Sequence, residues 1–314
     1  MRIRVPEVVC VVLVLSTVLA GAYVRSEQSG AAPPTVKANT TINISDHVYV
    51  ILDDNVSFVP NVGIIVGDRS TLIVDTGMGI ENAHTILAEA RKLDDDNHLY
   101  IVSTHFHPEH ALGEPGFPAD ATIVRSRAQQ DDIDEFGPDT AERFKTFSPF
   151  NAELLEGLSY READQVFEGE TTLDLGGVEA RVFWLGPTHT RGDTMVFIED
   201  DEVLFAGDVV MNKKFVSFNS EYSSMDAWFE SLDVLETLDI DQLVPSHGAI
   251  GDASLIGTNR TYLEAIRSQV VALKDAGRSM DEAAELAASR VEPEYPDWTG
   301  SLAGPARVAY EEAD

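Results

Sequence analysis

Hydrophobic positions in the first half of the chain change from a period of two to a period near 3.6 and back again. A period of two is typical of strands and a period of 3.6 is typical of amphipathic helices. Strands 62–66 and 71–74 flank the turn Gly67-Asp68-Arg69-Ser70 and predict a hairpin. The predicted elements of this half are strands over 47–52, 62–66, 71–74, 99–103 and 122–124, and a helix over 80–93.

The second half repeats this order of strands followed by helices. Its predicted elements are strands over 171–175, 178–185, 194–199, 203–206 and 242–245, and helices over 226–238, 254–275, 279–290 and 305–313. Two β-then-α halves predict an α+β fold, an αββα sandwich in which two mixed β-sheets pack face to face with helices outside. We expect residues 41–314 to form a single domain.

A polar, helical insertion separates the two halves over about 127–165. Phenylalanines are scattered through it at positions 136, 144, 147 and 150, without a regular strand or helix period. The segment is either a cover for a site or a plain surface subdomain packed by those rings.

The N-terminus has the pattern of an export signal. Arg2 and Arg4 precede an apolar run over 8–19, and Ala20-Gly21-Ala22 has the small-x-small form of a cleavage site. We expect residues 1–22 to be a signal peptide, residues 23–40 a flexible lead-in, and the protein to be secreted or periplasmic. The alternative is an uncleaved membrane anchor, although the run is short for a span of about 20 residues.

Charge and cysteine content exclude several classes of function. The 314 residues carry 22 Lys+Arg against 54 Asp+Glu, a net charge of −32. A surface this negative repels nucleic acid and anionic lipid, so the expected partner is a small-molecule substrate and neither nucleic acid nor, after cleavage, membrane. The one cysteine, Cys10, lies in the apolar N-terminal run. This excludes a thiolate nucleophile or a multi-cysteine zinc site in the folded body.

The densest candidate chemistry follows the predicted strand 99–103. The segment His105-Phe106-His107-Pro108-Glu109-His110 holds three histidines and a carboxylate within six residues. Imidazoles two apart in an extended loop lie on one side, and a turn at Pro108 brings the next two side chains to a neighbouring position. Nitrogen and carboxylate ligands at about 2.0–2.2 Å suit zinc.

Three more loops each place one ligand-type residue just beyond a predicted strand. They are Gly186-Pro187-Thr188-His189-Thr190, Phe205-Ala206-Gly207-Asp208 and Pro245-Ser246-His247-Gly248. Five of the eight histidines therefore lie in positions typical of metal ligands. We expect the other three to be ordinary surface or strand residues.

The order of these motifs resembles that of the metallo-β-lactamase fold superfamily, over roughly residues 48–248. The resemblance rests on NVGIIVG, TLIVDTG, STHFHPEH, GPTHTRGD, FAGD and PSHG. It implies a dinuclear metallohydrolase with two Zn²⁺ per chain. The implied first metal is held by His105, His107 and His189, and the second by His110, His247 and Glu109. Asp208 is implied to bridge both metals, and Asp75 to orient a ligand or its loop.

Glu109 departs from the family pattern, which usually has Asp. The extra methylene requires the carboxylate to fold back or the second metal to shift by about 1 Å. Either Glu109 keeps both family roles of Asp, binding metal and orienting water, or the second site is weak and the enzyme uses one metal.

The resemblance implies catalysis by a metal-bound hydroxide, with Glu109 and Asp208 as catalytic residues. There is no Gly-x-Ser-x-Gly elbow and no glycine-rich nucleotide motif. Asp208 resembles the bridging residue of thioester, lactone and phosphodiester hydrolases, whereas β-lactamases usually have Cys or Ser there. We expect an exported zinc hydrolase of a small ester, lactone, thioester or amide, in which Lys213 and Lys214 are possible contacts for a substrate carboxylate.

Three alternatives remain open. They are a class B-like β-lactamase, a one-iron sulfur dioxygenase on the same fold, and a non-catalytic metal-binding protein. A di-iron oxidoreductase usually has Glu in place of His107, which argues against that class.

Overall fold

The computed structural model describes residues 32–218 and 222–313. The expected signal peptide, residues 1–22, and residues 23–31 of the expected lead-in lie outside the described residues. The described part of the lead-in is held in place. The Val36 N–H donates to Asn82 Oδ1 at 2.8 Å and the Asn39 N–H donates to Glu89 Oε1 at 2.8 Å. The expectation of flexibility is therefore wrong for this part, because its backbone is bonded to a helix.

The first sheet has seven strands paired in chain order. Neighbouring strands are antiparallel from β1 to β4 and parallel from β4 to β7. Its strands are β1 Thr41–Asn43, β2 Val48–Ile51, β3 Val62–Val66, β4 Ser70–Val74, β5 His98–Val102, β6 Thr122–Ser126 and β7 Gln165–Phe167.

The second sheet has five strands in the order β12-β11-β10-β9-β8. They are antiparallel except for the parallel pair β11 and β12. The strands are β8 Glu170–Asp174, β9 Glu179–Trp184, β10 Thr194–Ile198, β11 Val203–Phe205 and β12 Gln242–Val244.

Eight helices complete the described part of the chain. The first four are α1 Ile80–Leu93, α2 Pro108–Ala111, α3 Arg127–Lys145 and α4 Pro149–Leu154. The rest are α5 Met225–Leu235, α6 Ser254–Asp275, α7 Met280–Val291 and α8 Ala303–Glu312. None of the helices in the described ranges is both long and apolar enough to cross a bilayer.

Side-chain alternation divides the hydrophobic core into layers. Leu72 and Val74 of β4 pack against residues of the second sheet such as Val196 and Phe205, whereas Ile73 packs with Ile86 of α1 on the other face. The opposite face of the second sheet is covered by α5 to α8, with Trp228 completely buried. Both faces of both sheets are therefore covered, which confirms the predicted α+β sandwich of two mixed sheets.

The structure adds two strands that the hydrophobic pattern did not predict. The strands β1 and β7 have three residues each, too few to show a period of two. Because β7 begins at Gln165, the last residue of the expected insertion pairs with β6 instead of leaving the sheet. The remainder of the insertion is largely helical, as expected, and α3 continues through Pro138.

A buried ion pair connects the segment after α2 to the first sheet. The guanidinium of Arg125 on β6 donates to Glu114 Oε1 at 2.7 Å, and both side chains are 1% exposed. Glu114 also accepts from the Arg161 N–H at 3.3 Å and from Ser103 Oγ at 3.4 Å. This carboxylate therefore holds together the strand before the histidine motif, the turn after it and the end of the insertion.

Replacing Arg125 with Met will lower the free energy of unfolding by about 3–5 kcal/mol, because it leaves the Glu114 carboxylate buried without its partner. Urea denaturation measures the change, and Glu114→Gln combined with Arg125→Met will recover part of it. Arg69→Met is the control, since its pair with Asp174 is exposed and contributes no more than about 1 kcal/mol. Equal losses for Arg125→Met and Arg69→Met would contradict the prediction.

Candidate metal centre

Five loops meet where β4, β5, β9, β11 and β12 end. The pairs β4–β5 and β11–β12 are parallel, and β9 has the direction of β11 because both are antiparallel to β10. The carboxyl ends of these strands consequently lie at one edge of each sheet. Hydrogen bonds join the two edges: the Thr194 N–H donates to the Thr104 carbonyl at 2.7 Å, and Ser246 Oγ donates to Asp75 Oδ2 at 3.3 Å.

The structure brings the three histidines expected at the first metal into one group. His105 Nε2 lies 3.0 Å from His107 Nδ1, which lies 3.1 Å from His189 Nε2. A tetrahedral ion with bonds of about 2.0–2.1 Å places its ligand atoms about 3.3 Å apart. All three side chains are buried, and the short distances between their nitrogen atoms suit a small cation better than solvent.

The residues expected at the second metal also lie together. One group of possible ligand atoms comes from Glu109, His110 and His247. Pro108 occupies the first position of α2, and this turn brings Glu109 and His110 to the second group, with the His110 ring centroid 4.0 Å from that of His105.

Asp208 lies between the two groups. Its Oδ2 is 3.6 Å from His189 Nε2 and its Oδ1 is 3.8 Å from His247 Nε2. It also forms a further group of possible ligand atoms with His105 and His110. This is the position that a carboxylate shared by two cations would take.

Acceptors behind the histidines determine which ring nitrogen faces the centre. His189 Nδ1 lies 2.8 Å from the Ser217 carbonyl, and His247 Nδ1 lies 3.0 Å from the Val59 carbonyl. A carbonyl only accepts, so each Nδ1 carries the proton and each Nε2 presents a lone pair. The backbone thus prepares both rings to bind a cation.

Asp75 supports the centre from beneath. Its backbone has φ 67°, in the left-handed region, and its side chain is almost completely buried. The carboxylate accepts from the Thr104 N–H at 2.7 Å and from His110 Nδ1 at 2.9 Å. Together with the Ser246 contact, these bonds connect Asp75 to α2 and to the loops after β5 and β12.

Several buried polar atoms at the centre have no hydrogen-bond partner in the described part of the chain. They are Glu109 Oε2, His110 Nε2 and Asp208 Oδ1. An unsatisfied buried polar atom is costly, and three in one centre require a shared partner. Two nitrogen-rich groups joined by a carboxylate fit a pair of divalent cations, and this donor set suits zinc.

Burial controls the protonation of most of the histidines. It lowers the pKa of His105 and His107 well below the usual range and that of His247 to about 3. His110 differs: although burial lowers its pKa, the charges of Asp75, Glu109 and Asp208 raise it to about 9. A cation that binds at His110 therefore displaces a proton, so cation binding strengthens as the pH rises from 7 to 9.

Two supporting groups were missed in the sequence analysis. Asn61 Nδ2 donates to the Pro245 and Gly248 carbonyls at 2.8 Å each, which fixes the loop of His247. Asp193 is buried and accepts from the Thr190 N–H and Thr190 Oγ1 at 2.8 Å each, which closes the loop of His189. The only signal for either residue was its place in a motif, Asp193 in GPTHTRGD and Asn61 at the start of NVGIIVG.

Cavities open on both sides of the centre. One of about 520 Å³ is lined by His247, Lys213 and Lys214 together with Asp53 and Asp297. The other, about 350 Å³, is lined by His107 and His189. The structure thus places Lys213 and Lys214 on the side of the second group, where the charge of Lys214 contributes to lowering the pKa of Asp208.

Replacing Asp75 with Ala will weaken binding of a divalent cation by about 10–100-fold, because His110 loses the acceptor that orients its ring. Competition with a chromophoric chelator measures the affinity, and the melting temperature reports any change in stability. Asp174→Ala, at an exposed carboxylate of β8, is the matched control. Unchanged cation affinity in Asp75→Ala would remove Asp75 from the support of the centre.

Several known proteins are similar to this chain in sequence or in fold. The linear primary-alkylsulfatase of Pseudomonas sp. is 24% identical over 251 residues, which cover 68% of this chain and 47% of the alkylsulfatase. The structure of the sec-alkylsulfatase Pisa1 from Pseudomonas sp. matches with a TM-score of 0.68 and 16% identity, over 86% of this chain and 49% of Pisa1. This chain thus spans about half the length of those alkylsulfatases.

A smaller relative covers the common fold. The metallo-beta-lactamase from Pontibacter korlensis matches with a TM-score of 0.56 and 21% identity, over 70% of this chain and 96% of that protein. The family model described as the metallo-beta-lactamase superfamily matches residues 57–247, a range that includes every residue of the centre. The chain therefore belongs to the metallo-beta-lactamase superfamily.

Proposed function

We propose that this protein is an exported zinc hydrolase that cleaves a small ester, lactone, thioester or amide. The observation that carries the proposal is that two groups of possible ligands meet at Asp208. Glu109, His110 and Asp208 each have a buried polar atom without a hydrogen-bond partner among the described residues. Two bound cations would polarise the carbonyl oxygen of the substrate and lower the pKa of bound water.

The chain's own residues supply position and proton transfer. His105, His107 and His189 form one wall of the centre, and their burial excludes bulk water. Glu109 belongs to the second ligand group, and its carboxylate would take a proton from the attacking water and return it to the leaving group. Asp208 balances positive charge between the two groups.

The substrate class follows from the residue at the bridging position. Asp208 stands at the position where β-lactamases of this superfamily usually have Cys or Ser. The aspartate at this position favours ester-type substrates over β-lactams. The relative named linear primary-alkylsulfatase makes a sulfate ester the second candidate. Export rests on the N-terminal signal pattern and agrees with a cysteine-free mature chain.

Replacing His107 with Ala will lower turnover by about 10³-fold or more, because cation binding contributes several kcal/mol to stabilising the transition state. The assay is a panel of lactone, thioester, carboxylic ester, sulfate ester and cephalosporin, on protein purified without chelator. His84→Ala, at an exposed histidine of α1, is the matched control. Circular dichroism checks that both variants fold.

Metal analysis of the same preparation tests the alternatives. About two zinc per chain together with turnover of a member of the panel supports the proposal. One iron per chain without hydrolysis indicates the dioxygenase, and metal without any turnover indicates a binding protein. Full activity in His107→Ala would remove the metal mechanism.

Replacing Glu109 with Asp will preserve or strengthen binding of the second cation, because the shorter carboxylate needs no folding back. Glu109→Gln will weaken it, since the ligand loses its negative charge. Calorimetric titration of the chelator-treated protein with Zn²⁺ resolves the two binding steps. Weaker second-site binding in Glu109→Asp than in the unmodified protein would refute the role given to this carboxylate.

A further inference from the structure

The cavity beside His107 and His189 is unusually positive for this protein. Its remaining walls include Arg143 from α3 and Arg307 from α8. Among its described lining residues there is no aspartate or glutamate, although the chain has 54 of them. The cavity on the side of Lys213, by contrast, includes Asp53 and Asp297. A cavity whose described lining residues include two arginines and no carboxylate is a local exception in a chain of net charge −32.

Arg143 is the arginine available for a ligand. Within residues 32–218 and 222–313, every other arginine side chain contacts a carboxylate, a carbonyl or a side-chain amide. Among the described residues, the contact of the Arg143 guanidinium is with the ring of Phe147, whose centroid lies 5.9 Å away. Arg307 is partly engaged, since its Nε lies 3.2 Å from the exposed Asp281.

The surroundings of Arg143 suit an organic anion better than an inorganic one. Phe144 lies next to the centre, with its ring centroid 5.6 Å from that of His107. Phe147 is 46% exposed and stacks on Phe58 at 5.6 Å. An apolar chain would cover the exposed ring of Phe147 while its charged end enters the cavity.

We infer that the cavity between α3 and α8 is a subsite for the negatively charged group of the substrate, a carboxylate or a sulfate, held by Arg143 and Arg307. The planar guanidinium donates paired hydrogen bonds to such oxyanions. The inference rests on the proposed hydrolase and narrows its substrate to an organic anion. Because α3 belongs to the insertion and α8 to the C-terminal helices, both segments outside the residues of the centre take part in substrate selection.

The test measures binding without turnover. Hexanesulfonate cannot be hydrolysed as an ester, and its affinity for the protein purified without chelator is measured by isothermal titration calorimetry at fixed ionic strength. We expect Arg143→Gln to raise its Kd about tenfold, the loss of one charge-assisted interaction. Arg143→Lys will raise the Kd for hexanesulfonate less than Arg143→Gln does, because lysine keeps the positive charge. Arg91→Gln, an exposed arginine that lines neither cavity, is the matched control and will not change the Kd.

Titrations with two further compounds identify the chemical group that the cavity binds. Hexanoate in place of hexanesulfonate distinguishes a carboxylate from a sulfate-like group, and 1-hexanol, which is neutral, will bind equally to unmodified protein and Arg143→Gln. An equal Kd for hexanesulfonate in unmodified protein and Arg143→Gln, or the same loss in Arg91→Gln, would overturn the subsite. Because calorimetry needs no catalysis, a protein that binds the anion but hydrolyses no ester would refute the proposed function and leave the subsite standing.

Discussion

The hydrogen bonds to the Asp75 carboxylate are the constraint on which the centre depends. This one side chain accepts from the loop after β5, from His110 of α2 and from Ser246 of the loop after β12. It therefore joins the two sheets at the edge where the ligands lie. The left-handed backbone of Asp75 is unfavourable for a non-glycine residue, and such strain persists where the surrounding structure over-determines it.

The rest of the site follows from this connection. With the loops held together, His105, His107 and His189 approach to about 3 Å, and Asp208 lies between them and His247. Mutual repulsion and burial make this arrangement unfavourable for protonated rings, and a divalent cation relieves both costs. Folding thus builds a centre whose donor atoms fit bound cations.

Much of the fold was predictable because both periods are clear in long elements. The helix α1 begins and ends at the expected residues, and the strands β3 and β5 to within one residue. The short strands β1 and β7 were not predictable, because Phe167 is their one buried side chain, whereas the equally short β11 and β12 are mostly buried and were predicted. The contact of the lead-in with α1 was not predictable for a similar reason. The backbone N–H of Asn39 makes this contact, and a backbone hydrogen bond leaves no hydrophobic pattern in the sequence.

The sequence by itself determined which residue types carry the chemistry, since His105-x-His107-x-Glu109-His110 and the later His189, Asp208 and His247 all follow strand ends. Only the tertiary structure decided how they are grouped and what else reaches them. The proximity of Asn61 to the loop of His247, and of Arg143 to the cavity that Arg307 also lines, joins segments more than 160 residues apart. Such contacts depend on sheet order and helix packing, which create neighbours that no local spacing records.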